Sequence, residues 1–316
     1  MIVSWTYISA IISSTFRACS PILLCSLAAA LCSKTGVFNV AMEGCMLLSA
    51  FFSIVVNYFT HGNVMISILA GIVTSMVISG ILAFFIIKLK ASPVIVGMAI
   101  NTMANGLTIY LMYVFFGRKG LFQDPSLVGL TKVTPFFAKS LPDLASCFYG
   151  LTYVDYLSWI LAIAVYVFLY KTVIGYRLRA IGINKEAARS LGTPVERYQF
   201  ITMTCSGILC GLAGVLLSMG SVTLFIQNIS SGKGYIAMTA NNLGAAHPLG
   251  VAAASLFFGI CQSVGSFLQQ TSLKGQITGA IPYVMTILAS IVSSIYVKAK
   301  KERKIRQALK AQEADA

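Results

Sequence analysis

Six polar side chains stand in stretches that are otherwise apolar: Asn39, Glu43, Asn101, Asn105, Asn241 and Asn242. An asparagine amide both donates and accepts, so several of them in a wet cavity hydrogen-bond a sugar or a heterocycle without covalent chemistry. Asn101 and Asn105 are four residues apart and share one helix face. The same side chains also join helices to one another, and for each residue both readings stand. Glu43 is the one acid well inside an apolar run. A lone carboxylate there costs at least about 2.5 kcal/mol. It must be protonated, hydrogen-bonded or paired, with Lys34 and Arg17 as candidate cations. It either lines a polar passage or braces the helices around it.

Catalytic constellations are missing. The chain contains no G-x-x-x-x-G-K-[ST] loop, no Ser/His/Asp set, no metal-ligand cluster and no carboxylate pair. No catalytic residue, metal ligand or bound cofactor is therefore assigned. His61 and His247 fall at apparent segment breaks, which argues against a proton relay. The eight cysteines follow no ligand spacing and read as small hydrophobes.

The elements that hold these residues are membrane spans. Of 316 residues, 57% are hydrophobic and 10% charged, with mean hydropathy +0.84. Soluble domains carry roughly 25% charged residues, so this composition implies an all-α, polytopic membrane protein of about 8–10 membrane segments. Apolar runs of about 20 residues, the length needed to span a bilayer, cover 37–60, 64–87, 93–116, 153–174, 198–222 and 277–297. Residues 2–32 add a segment interrupted by Arg17 and Pro21; residues 234–270 form one long or two short segments broken at Gly244–Gly250. The start lacks a basic region ahead of its apolar stretch, so a cleavable signal is not expected.

The net charge of +14 is concentrated at the ends of apolar runs, in Lys171–Arg197 and Lys298–Lys310. That placement is an orientation signal rather than a nucleic-acid footprint. It puts Lys88, Lys90, the 175–199 loop and the basic tail 298–316 in the cytoplasm, and the loop 117–152 outside. Residues 1–297 then form one transmembrane domain. Parity requires 234–270 to cross an even number of times and places the N-terminus outside if 2–32 crosses once. Irregular backbone at membrane depth survives only where protein or a water-filled cavity covers it, so the break near Asn241 and Asn242 is a candidate pathway lining.

The 175–199 loop carries helix signals. Asn184 is a good N-cap, Glu186 lies in the first turn, Gly192 closes the C-terminus and Pro194 prevents continuation. The spacing predicts a two-turn helix, Lys185 to Leu191, with Ala187, Ala188 and Leu191 on one face. That face suits a groove on another protein or rests at the membrane interface, in contact with lipid.

The run Arg179-Ala180-Ile181-Gly182-x-Asn184-x-Glu186-Ala187-Ala188-x-x-Leu191-Gly192 closely resembles the coupling loop of ATP-binding cassette (ABC) importer permeases. The subgroup is the one handling branched-chain amino acids, ribose-like sugars and nucleosides. Thr35-Gly36-Val37-Phe38-Asn39-Val40-Ala41-x-Glu43-Gly44, Val96-Gly97-Met98-x-x-Asn101-x-x-Ala104-x-Gly106 and the stretch from Gly232 to Gly250 resemble further motifs of that family, in order. Ala41 replaces a usual glycine, and Asn241-Asn242 a usual apolar pair. The resemblance implies the type II-like importer fold and most resembles the nucleoside or simple-sugar permeases of the cell membrane. It also implies a separate ABC ATPase that binds ATP and contacts Asn184, Glu186, Ala187, Ala188, Leu191 and Gly192. A second related permease and an extracytoplasmic substrate-binding lipoprotein complete the implied assembly. Without the resemblance, a secondary transporter or channel needing no ATPase also accommodates these features.

Overall fold

The computed structural model describes residues 5–133, 148–220 and 222–269, with Val284, Ile287 and Ile291. The helices run α1 (Trp5–Lys34), α2 (Met42–Phe59), α3 (Val64–Ala83, prolonged by a π-helical turn Phe84–Lys88), α4 (Pro93–Phe116) and α5 (Tyr153–Lys171). Two short helices follow, α6 (Val173–Ile183) and α7 (Lys185–Ser190), then α8 (Val195–Met219), α9 (Lys233–Leu243) and α10 (Pro248–Gln269). Strand β1 (Leu121–Phe122) pairs antiparallel with β2 (Phe225–Ile226). Among the described residues, 7 helices are long and apolar enough to span a membrane. Apart from Val284, Ile287 and Ile291, the expected span 277–297 lies outside the described residues, as do the tail 298–316 and loop residues 134–147.

The two ends of the bundle are distinct. Lys34 Nζ lies 3.5 Å from the Ala245 carbonyl, and Gly182 packs on the Lys34 carbonyl, so α6, α7 and the α9–α10 turn share the basic end. The β1–β2 ribbon lies at the other end, where Asn57 near the end of α2 bonds both the N–H and the carbonyl of Val128. Helix α1 is central, packed on α5, α8, α9 and α10. Small polar residues join the helices: Ser26 to Ser255, Ser53 to Ser218, and Ser49 to the Gly211 carbonyl at 2.7 Å. Close contacts of this kind replace the hydrophobic drive that lipid cannot supply. On the Gly207-x-x-x-Gly211-x-x-Gly214 face of α8, Gly207 and Gly211 meet the α3 backbone, and Gly214 meets α2.

Four elements differ from the expected spans, one of them by a simple shift, with α8 at Val195–Met219 against 198–222. Helix α1 runs unbroken through Arg17 and Pro21; neighbouring helices compensate the backbone bond a proline removes. Helix α2 begins at Met42 rather than 37, because 37–40 is non-helical. The Asn39 side chain there accepts the Ala41 N–H at 3.1 Å, a local bond that competes with helix. The expected segment 153–174 stops at Lys171; Thr172 then caps α6 by accepting from Gly175 N. The 175–199 loop thus holds two helices where the spacing predicts one.

The parity requirement is met by a half-length crossing. Helix α9 has 11 residues, about 16 Å at 1.5 Å per residue, roughly half of a ~30 Å hydrocarbon core. Residues 227–232 lead into it from the β2 end, and it finishes at the basic end beside Lys34. Helix α10 then crosses back at full length, starting with Pro248 after the turn at His247.

Candidate functional site

Two helices, α2 and α9, start inside the bundle, and each leaves N–H groups without an intrahelical partner. Glu43, on α2, satisfies those of α9, while Asn101 accepts from Gly44 N of α2. Glu43 lies in the first turn of α2, and its Oε1 accepts from Gly232 N at 2.8 Å while Oε2 accepts from Gly234 N at 2.7 Å. An acid at two helix N-termini is stabilised by both dipoles. The expected cation partners do not form: Lys34 bonds Ala245, and Arg17 lines a separate cavity of about 310 Å³ that Lys233 also reaches. The backbone amides bond the carboxylate directly, and the neighbouring Lys233, not Lys34 or Arg17, is the cation that interacts with it electrostatically. Glycine is required at 234, since a Cβ there would lie 2.6 Å from Glu43 N.

The non-helical backbone before α2 is satisfied by amide side chains. Asn101 Nδ2 donates to the Val40 carbonyl at 3.0 Å, and its Oδ1 accepts from Gly44 N at 2.8 Å. Asn39 Nδ2 donates to Ser206 at 3.1 Å, and Gln199 Nε2 to the Thr35 carbonyl at 2.9 Å. Asn241 donates to Ser33 at 3.0 Å from the buried side of α9. Asn39, Glu43, Asn101 and Asn241 are all buried. They form one bonded framework that fixes the two broken helices.

The open face is different. Along α9, Tyr235 and Asn242 are exposed and Thr239 is half-buried, whereas Ile236, Ala237, Ala240 and Asn241 are buried. Spacing of four and then three puts Tyr235, Thr239 and Asn242 on one face. The Tyr235 hydroxyl receives a bond from Asn101 at 3.1 Å, which ties this face to the framework. Exposed Phe38 and Thr102 belong to the adjoining segments. Asn105 is half-buried, and its Oδ1 has no hydrogen-bond partner. Sequence patterning missed Tyr235 because an aromatic in a glycine-rich run looks like packing.

At the basic end, Asn184 caps α7, accepting from Glu186 N and Ala187 N at 3.0 Å each. Gly192 closes it with φ 76°. The expected common face of Ala187, Ala188 and Leu191 is split. Ala188 is 4% exposed and packs with Ile181 and Val195, while Ala187, Glu186 and Leu191 face outward. Helix α6, unanticipated, supplies the inner surface that Ala188 covers. Leu191 is 85% exposed and Ile183 87%, so the apex of this knob is apolar. The knob is seated directly on the bundle: a Cβ at Gly182 would strike the Lys34 carbonyl, so only glycine allows that approach.

A family model described as "Branched-chain amino acid transport system / permease component" matches residues 11–290. The chain is 30% identical over 292 residues to the guanosine ABC transporter permease protein NupQ of Bacillus subtilis, covering 89% of this chain and 91% of that one. It is 29% identical over 285 residues to the nucleoside ABC transporter permease protein NupC of Lactococcus lactis, covering 85% and 87%. A solved inward-facing ABC transporter superposes with TM-score 0.50 at 13% identity, over 90% of this chain and 85% of that one, which shows the fold. With its seven described spans and half-length α9, the chain belongs to the branched-chain amino acid transport system / permease component family and is a membrane-embedded ABC transporter permease.

Proposed function

We propose that this permease imports a nucleoside, or a simple sugar of similar size, with its basic end in the cytoplasm. One observation carries the reading: an apolar knob at the basic end packs through Gly182 on the Lys34 carbonyl, next to the turn from which bonded side chains lead to the polar half-helix α9. The knob, with Ile183 and Leu191 at its apex, receives a separate ABC ATPase. The α9 face of Tyr235, Thr239 and Asn242 borders the solute passage, because exposed polar groups at that depth need water or a partner. A second, related permease closes the passage from the other side, and a lipoprotein receptor delivers the solute. ATP binds and is hydrolysed on the partner ATPase. Closure of the ATPases moves α7; Gly182 and Gln199 pass that motion to the Thr35 turn, and Glu43 passes it to α9. Such switching requires the ATP-bound and free states to differ in their contacts with the knob.

The test is uptake of labelled guanosine by vesicles holding the whole transporter. ATP-dependent uptake that disappears when Glu186–Leu191 is deleted supports the reading. Uptake driven by an ion gradient alone, with the deletion harmless, overturns it in favour of a secondary transporter.

A further inference from the structure

Beside the knob, but separate from its apex, lies a groove of about 810 Å³. Its floor is Phe84 and Ile87 at the end of α3 with Phe200 and Ile201 near the start of α8. Phe84 and Ile201 are each 48% and 48% exposed, so the floor is open. The rim carries Lys88, Arg189 and Arg197 against one carboxylate, Glu196. Glu196 is already shared, 3.9 Å from Lys88 and 3.6 Å from Arg189. Three cations facing one acid leave the rim positive.

We propose that this groove is a binding site for an anionic phospholipid, its acyl chain on the aromatic floor and its headgroup phosphate between Lys88 and Arg197. Three observations favour lipid over a soluble partner. The floor belongs to two membrane-spanning helices within about two turns of their basic ends, where hydrocarbon meets headgroups. The charge is complementary, and basic pockets between spanning helices are the recurrent form of headgroup site. The groove also starts at the π-helical turn Phe84–Lys88, an irregularity that concentrates at functional positions. Since Arg189 belongs to α7 and Glu196 to the first turn of α8, the bound lipid steadies the base of the knob. The site needs neither an ATPase nor a solute to be correct.

The experiment uses the full chain in nanodiscs with photoreactive phosphatidylglycerol, or with phosphatidylcholine carrying the same acyl chains. Phosphatidylglycerol should label Phe84–Lys88 and Phe200–Ile201 in preference to phosphatidylcholine. Lys88→Gln and Arg197→Gln should each lower that labelling roughly fivefold, the effect of about one interfacial charge. Lys88→Arg with Arg197→Lys should retain it, which separates lost charge from lost fold. Lys90→Gln, outside the groove, should leave it unchanged. Equal labelling by the two lipids, an equal loss with Lys90→Gln, or no loss with the paired glutamines overturns the site. Displacement of the label by added ATPase subunit also overturns it, and assigns the groove to a protein.

Discussion

The Glu43 carboxylate holds two backbone N–H groups that lie 189 and 191 residues away in the chain. Leaving a buried donor unsatisfied costs about 1–3 kcal/mol, so Glu43→Ala should destabilise the permease by roughly 2–6 kcal/mol if both donors stay dry. Glu43→Gln offers only one acceptor oxygen and should lose about half of that. Knob and ATPase copurification should survive in both, because α7 touches neither oxygen; uptake should not. A Glu43→Ala protein with an unchanged melting temperature and normal uptake would remove the carboxylate from the mechanism. The sequence showed that Glu43 needed a partner, since an acid in an apolar run is conspicuous. It could not show which one. Gly232 and Gly234 contribute main-chain atoms, and a main-chain donor leaves no mark in side-chain pattern. Asn39 and Asn101 are a similar case: their amides are visible as polar outliers, but the irregular backbone they satisfy is not.

Among the elements, the knob is the clearest case of partial legibility. Capping residues marked α7 to within one residue of its end. Helix α6 went unread because Gly175, Gly182 and its arginines look like loop punctuation, yet Thr172 caps it and the bundle packs on it. With α6 in place, Ala188 faces inward, and the docking proposed for the knob rests on Leu191 and Ile183. Burying a leucine or isoleucine contributes about 1.5–3 kcal/mol, so Leu191→Ala should weaken ATPase binding roughly tenfold or more. The Ile183→Ala, Leu191→Ala pair should abolish copurification. Ala188→Leu should instead unseat α7 from Ile181 and Val195 and lower thermal stability first. Isothermal titration of the ATPase against each purified variant separates the two effects. Gln199→Ala leaves the knob surface intact but frees the Thr35 carbonyl. The expected signature is normal ATPase affinity with uncoupled hydrolysis.

Over the whole molecule, composition and charge placement were enough for a polytopic bundle with a basic end, and counting crossings demanded a pair of passages between 234 and 270. They did not demand that one passage be a half-helix. An 11-residue element is too short for a hydropathy window tuned to full spans. In the proposed passage, that short element sets what can be recognised. Tyr235 offers an exposed ring whose hydroxyl is fixed by Asn101, and an aromatic face stacks on a nucleobase for about 1–3 kcal/mol. A simple sugar has no base to stack. Tyr235→Leu should therefore slow guanosine uptake by roughly five- to 150-fold, while ribose uptake, if present, changes much less. Tyr235→Phe keeps the ring and should retain most guanosine transport, losing only the bond to Asn101. Asn242→Leu removes an amide from the same face and should lower uptake of either solute by roughly two- to tenfold, one net hydrogen bond. ATPase binding, measured alongside, should be constant across all three variants. Equal losses of guanosine and ribose transport in Tyr235→Leu would make Tyr235 a wall of the passage and not a base platform. Unchanged transport in both Tyr235→Leu and Asn242→Leu would move the passage away from α9 altogether.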